Sequence, residues 1–342
     1  MPFSDYLQRV CSRANLTADD AAAAMALILE GEASAIQIAA FLAALKTKGE
    51  TPEEVLGFAR AMRAKAARVD PGPLDEPLVD TCGTGGDASG TFNVSTVAAF
   101  VVAGAGVRVA KHGNRSTTGA CGSADLMEAL GVRIDVPPEA MGRAIREVGI
   151  GFLFAPAIHG AMRHAQPVRA ELKMRTVFNL LGPLTNPAGA TVQVAGAPAL
   201  WAAELMAEAL ARLGLERGYV VHGSDGLDEI TTTGATEALE IVHGAIAHRT
   251  LYPEDFGLPR AARSDLKGGG PAANADIAHR ILAGERGPRR DIVLANASAA
   301  LVAAGRAADF REGVRLAAES IDSGAARRKL EDLKAFTLPR NV

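Results

Sequence analysis

The chain is short of aromatic residues, 4% in all, and its charges nearly cancel, with 36 Lys and Arg against 39 Asp and Glu. That balance argues against a nucleic-acid or other polyanionic partner, so any basic site has to be local. Cysteines are few: Cys11, Cys82 and Cys121 are odd in number and never spaced CxxC, which suggests neither a disulfide framework nor a zinc knuckle. No segment supplies the about 18 uncharged apolar residues that a membrane span requires. The N-terminus shows no basic run followed by an apolar stretch, so secretion is not expected and the reducing cytoplasm is the expected compartment. HExxH, GxSxG and GxxxxGK[ST] are all missing, which removes support for metalloprotease, α/β-hydrolase and P-loop readings. No internal repeat or low-complexity tail occurs. Alanine and glycine are abundant, the composition of close-packed helices and tight turns, and 342 residues suit one large or two modest domains.

Residues 1–69 read as helices. "TADDAAAAMALILEGE" opens on Thr17, a candidate N-cap, and "TPEEVLGFARAMRAKAARV" opens on Thr51 with Pro52 at the first helical position and Glu54 completing a capping box. Between them Ile38, Phe41, Leu42 and Leu45 share one face. The proline-rich stretch at 70–77 reads as a connection. Beyond it, "LVDTC", "VRVAK", "VRIDVP", "GFLFAP", "TVQVAGAP" and "YVVHG" are short β-prone runs alternating with helix-like segments. The expected fold is α/β: a small N-terminal helical domain over 1–69, joined by helices from 160–187, and a larger domain over 70–342 with a central, largely parallel sheet. A β excursion is expected around "TTTGATEALEIVHGAIAHRTLYPEDFG".

The loop "DTCGTGGDASG" follows a strand and precedes a helix, where backbone N–H groups and the positive helix end hold phosphate. Glycines in such a turn can also serve the turn alone. The Rossmann fingerprint fits only loosely, and it needs a carboxylate about 20 residues on for the ribose. From residue 88 to 124 there is no Asp or Glu, which argues against a nicotinamide dinucleotide. The same stretch carries Arg108, Lys111, His112 and Arg115 among many hydroxyls, a mixture suited to a polyphosphate. Asp228 and Glu229 in "HGSDGLDEITTTG" are either solvated turn acids or hard oxygen ligands for a cation such as Mg²⁺. Arg169, in a helical segment, would by default be a solvated surface residue. Cys82 and Cys121 read as buried small residues.

"GTGGD", "NVST", "KHGNRS", "GSAD", "RTVFNLLGPLTNP" and "GLDEI", in this order, resemble the anthranilate phosphoribosyltransferases, which act at the second step of tryptophan biosynthesis. The resemblance implies a helical domain joined to an α/β phosphoribosyl-binding domain, a homodimer, Mg²⁺, and two small-molecule substrates, phosphoribosyl pyrophosphate (PRPP) and anthranilate. It places Gly83, Gly86, Asp87, Thr91 and the run Asn93, Val94, Ser95 and Thr96 in the PRPP site. Lys111, His112, Gly113, Asn114 and Arg115 would continue that site, followed by Ser116, Thr117, Thr118, Gly119 and Ser123. Gly83 and Asn114 would also touch anthranilate, with Arg169 on its carboxylate; Ser95, Asp228 and Glu229 would hold the metal. No essential catalytic acid or base is implied, because the aniline nitrogen of anthranilate is already neutral. The chain departs from the family pattern at Gly119, Ala120 and Cys121, where the family commonly has a lysine, and at Gly160, where a proline is common after His159. A pyrimidine nucleoside phosphorylase and a non-enzymatic nucleic-acid-binding paralogue share the architecture and are the competing readings.

Overall fold

The computed structural model describes residues 1–86, 89–116 and 119–338. Its first part is four helices, α1 (Phe3–Cys11), α2 (Ala18–Glu30), α3 (Ala35–Lys48) and α4 (Pro52–Lys65). Their starts follow from their caps. Thr17 Oγ1 accepts the Asp20 N–H, Ser34 and Gln37 form a capping box, and Thr51 and Glu54 form another with Pro52 in the first turn. Ile38, Phe41, Leu42 and Leu45 are all buried, as their spacing predicts. Helices α2 and α4 pack very closely: a Cβ on Gly57 would stand 2.1 Å from the Ala18 carbonyl oxygen, so only glycine fits.

The larger part is built on a seven-stranded sheet of order β3-β2-β1-β4-β5-β6-β7. The strands are β1 (Leu78–Asp80), β2 (Arg108–Gly113), β3 (Ile150–Phe154), β4 (Val192–Gly196), β5 (Arg217–Gly223), β6 (Thr236–Val242) and β7 (Ala245–Leu251). Strands β1 to β5 pair in parallel, with Val79 opposite both Val109 and Val192; β6 and β7 are antiparallel additions at one edge. The β6–β7 hairpin turns on His243 and Gly244, both at positive φ, as a two-residue loop requires. The "VRIDVP" run forms no strand: residues 132–137 lie outside any ladder. Val132 and Ile134 are buried there, but Pro137 and Pro138 bring no N–H, and the Arg133 N–H goes to Thr337 Oγ1.

One hydrophobic cluster fills the sheet's first face around the Val94–Gly104 helix, which is buried along nearly its whole length beneath the Pro288–Ala303 and Ala325–Thr337 helices. The second cluster joins α1 to α4 with Val168, Val177, Phe178 and Leu181 from the 160–187 segment, the Leu200–Arg212 helix and inward residues of β5 and β6. The chain runs from β1 outward to β2 and β3, then returns to place β4 on β1's other side. Open α/β sheets bind ligands at the carboxyl ends of strands flanking such a reversal. Here that end of β1 is the glycine loop.

Candidate active site

Several segments meet beyond the ends of β1 and β2. The Lys111 ammonium, from β2, is buried and donates to the Thr81 carbonyl at 2.7 Å and, more weakly, to Ser95 Oγ at 3.5 Å. Thr81 Oγ1 in turn donates to the Ser95 carbonyl. The Ser95 N–H, in the first turn of the Val94–Gly104 helix, donates to Glu229 Oε1 at 3.0 Å, and the Gly85 N–H donates to Asp228 Oδ2 at 2.7 Å. Gly83 packs so tightly on Asp228 that a Cβ would lie 2.8 Å from Oδ2. The structure therefore brings Gly83, Ser95, Lys111, Asp228 and Glu229 into one cluster.

Asp80 forms the floor. It is fully buried, accepts the His112 N–H on Oδ1 and the Asn186 amide on Oδ2, and burial raises its carboxyl to about 6 against the opposing Lys111 charge. Sequence reasoning misses both Asp80 and Asn186; "TNP", at the end of the quoted "RTVFNLLGPLTNP", is the available signal for Asn186.

The loop after β2 is internally tied. Ser123 Oγ accepts the Asn114 N–H and donates to the Asn114 carbonyl, and the Ser116 hydroxyl bonds Gly119 through both its N–H and its carbonyl. Gly113 is hemmed in by Ser123 and Phe152. Arg115 turns away toward the Ser123–Ala129 helix, its guanidinium bonded to Asp125 and Glu128. Val94 and Thr96 are buried under the loops, and Thr91 bonds Ser89 through their hydroxyls. Asp87, Thr117 and Thr118 lie outside the described residues. Cys82 is buried as expected, whereas Cys121 is only half-buried.

The donor set suits a hard cation. Glu229 is half-buried beside Asp228, and its carboxyl is pushed upward, first by desolvation and next by that neighbouring charge. Two adjacent carboxylates at such a site are costly until a cation offsets them. Among the described residues no group of three or more His, Cys, Asp and Glu converges as a closed metal cage. Mg²⁺ does not need one: it commonly takes one or two carboxylates and keeps waters and substrate phosphates.

Arg169 sits on the Gln166–Leu172 helix, its guanidinium over the Phe178 ring at 5.1 Å and bonded to Gln166 Oε1 at 3.3 Å. The hydrogen bonds that join this segment to the glycine loop come instead from Arg175, which donates to the carbonyls of Gly86 at 2.6 Å and Gly85 at 3.2 Å. Both glycines have positive φ, and Arg175 holds the peptide oxygens that this shape turns outward. Nearby, His112 and His159 meet edge to face, with centroids 5.3 Å apart. His112 Nδ1 donates to the Gly182 carbonyl, while Nε2 of each ring is buried with no partner among the described residues. Burial drives both below the ordinary histidine range, His112 to about 3 and His159 to about 4, so both are neutral.

A family model described as "Glycosyl transferase family, a/b domain" matches residues 75–327, and one described as "Glycosyl transferase family, helical bundle domain" matches residues 4–66. The chain is 64% identical over 340 residues to an anthranilate phosphoribosyltransferase of Solibacter usitatus, covering 99% of this chain and 100% of the relative. The Thermus thermophilus anthranilate phosphoribosyltransferase crystal structure aligns with a TM-score of 0.92 at 47% identity, over 98% of this chain and 99% of that one. A Saccharomyces cerevisiae relative, solved in complex with PRPP and Mg, aligns with a TM-score of 0.90 at 30% identity, over 98% of this chain and 97% of that one. With both domain models matched in order and these relatives aligned over nearly the whole chain, the chain belongs to the anthranilate phosphoribosyltransferase family.

Proposed function

We propose that the protein transfers the 5-phosphoribosyl group of PRPP to the amine of anthranilate, giving N-(5-phosphoribosyl)anthranilate and pyrophosphate. The observation that carries this reading is the cluster at the ends of β1 and β2, where Lys111, Ser95, Asp228, Glu229 and the glycine loop converge. In this reading residues 70–342 bind the phosphoribosyl group, and residues 1–69 with 160–187 supply Arg169 for the acceptor. Homodimeric assembly, a cytoplasmic setting and dependence on Mg²⁺ belong to the same proposal, from the family resemblance and the donor chemistry.

The amine lone pair forms the new bond to ribose C1 as the bond from C1 to the pyrophosphate oxygen breaks, through a transition state with oxocarbenium character. The electron pair leaves with pyrophosphate, so negative charge grows at the leaving group. Lys111 and the loop N–H groups face that growth and stabilise the transition state more than the ground state. The chemistry Mg²⁺ supplies when held by Asp228, Glu229 and Ser95 is further positive charge against the same oxygens. Arg169 offers a planar guanidinium that matches the acceptor carboxylate bidentately. The proton released from the amine passes to anthranilate's own ortho carboxylate or to water. His112 and His159 are neutral and buried, and this scheme needs neither as a base.

The test is incubation with PRPP, Mg²⁺ and anthranilate while anthranilate fluorescence is followed, each component being omitted in turn. Loss of fluorescence only in the complete mixture is expected. No loss in the complete mixture, or phosphorolysis of thymidine instead, would overturn the reading.

A further inference from the structure

The segment before the Pro271–Leu282 helix is zipped onto the stretch that follows the glycine loop. Thr91 and Lys267 form an antiparallel bridge, and the Gly268 N–H donates to the Gly90 carbonyl at 2.9 Å. Gly268 has no room for a side chain, since a Cβ would meet the Phe92 backbone at 2.6 Å and Asn274 Oδ1 at 2.7 Å. At the centre of this contact lies Asn274, only 1% exposed although it is polar.

Its amide belongs to a relay whose two ends fix its direction. Asn274 Oδ1 accepts the Gly269 N–H at 2.7 Å, and a backbone N–H can only donate. Asn274 Nδ2 therefore donates to Asn93 Oδ1, at 3.0 Å, and Asn93 Nδ2 donates to the Cys121 carbonyl, also at 3.0 Å. A carbonyl can only accept, so the relay has one self-consistent orientation. The Cys121 thiol itself donates to the neighbouring Gly122 carbonyl. Asn93 occupies the N-cap position of the Val94–Gly104 helix, a place where Asn normally bonds its own first turn, yet its side chain makes no capping bond. It is diverted across to the loop after β2.

We infer that Asn274 is a positioning residue of the PRPP site: it orients the Asn93 amide and, through it, ties the Cys121 carbonyl to the segment that follows the glycine loop. The inference rests on the reading of the cluster beyond β1 and β2 as the PRPP site. The Asn274→Asp substitution keeps the acceptor for Gly269 and removes the donor. The Asn93 amide must then turn to bond the introduced carboxylate, and its oxygen faces the Cys121 carbonyl, so the loops separate.

The experiment is calorimetric titration of wild type and the Asn274→Asp variant with PRPP in the presence of Mg²⁺, together with thermal unfolding and KM for anthranilate. The expected result is a PRPP Kd raised about tenfold or more in a folded variant, the size that follows from breaking a buried hydrogen-bonded relay. KM for anthranilate should stay within about twofold, a split that general loosening of the fold would not produce. Asn274→Ser, too short to reach Asn93, is carried through the same measurements in case the aspartate variant does not fold. PRPP binding within about twofold of wild type, equal loss for both substrates, or failure of both variants to fold would assign Asn274 a purely structural role and overturn the inference. Wild type that does not bind PRPP would instead sink the functional reading, and the inference with it.

Discussion

The Lys111 ammonium donates to the Thr81 carbonyl at 2.7 Å, tying β2 to the first residue after β1. At 3% exposure it is a cation inside the protein, beneath the glycine loop, rather than on its surface. Charge placed there acts through a low dielectric and needs no reorganisation when the leaving group becomes more negative. Lys111→Met keeps most of the side-chain volume and removes the charge. The expected outcome is a fall in kcat/KM for PRPP of about 100-fold or more in the fluorescence assay. A fall smaller than about threefold would mean that the cation serves the fold alone.

Arg169 and Arg175 lie on one segment but make contacts of different kinds. Arg169 rests on Phe178 and Gln166, while Arg175 holds the carbonyls of Gly85 and Gly86. Arg169→Ala is therefore expected to raise KM for anthranilate far more than KM for PRPP. Arg175→Ala is expected to do the reverse, raising KM for PRPP about tenfold through a loosened loop. Steady-state kinetics with each substrate varied in turn checks both, and equal effects on the two substrates would count against the division.

Local patterns are legible in the sequence where the cause is local. The Thr51–Glu54 capping box, the buried face of α3 and the loop after β1 each depend on neighbouring residues. "VRIDVP" misleads because its buried Val132 and Ile134 alternate as a strand would, while the two prolines at its end deny it a ladder. The ion pairs of Arg115 are hidden from the same reading because the acids that engage it, Asp125 and Glu128, come just after the carboxylate-free stretch. Asn274 and Arg175 cannot be found this way. Asn93 and Asn274 are 181 residues apart, and no local spacing marks a contact that only the folded sheet creates.

Within the helical part, Glu54 is buried and its two oxygens serve three donors: the Leu16 N–H, the Thr51 N–H and the Lys48 ammonium at 2.9 Å. Lys48 is itself almost completely buried. Removing one partner of such a pair leaves an uncompensated charge and orphaned amides, which costs about 3–5 kcal/mol. Glu54→Ala is expected to lower stability by that amount in urea unfolding, with the slope unchanged and α4 losing its anchored start. A change below about 1 kcal/mol would show that water replaces the carboxylate there.

His159, buried against the His112 ring, makes stability depend on pH. Burial holds its imidazole at about 4 in the folded chain, against 6.5 for an unburied ring. A folded pKa below the unfolded one means that the unfolded chain binds the extra proton, so the stability His159 contributes is complete above 6.5 and is lost as pH falls from there toward 4. Between pH 7 and 5 this amounts to roughly 2 kcal/mol, since each pH unit below about 6.5 removes about 1.4 kcal/mol. His159→Asn takes up no proton on unfolding, so its stability should fall less than that of wild type over the same interval, by about that difference. Urea unfolding of both proteins at pH 7 and pH 5 measures it. Parallel losses in the two proteins would show that His159 takes up its proton in the folded chain as readily as in the unfolded one, so that burial beside His112 does not hold the ring neutral.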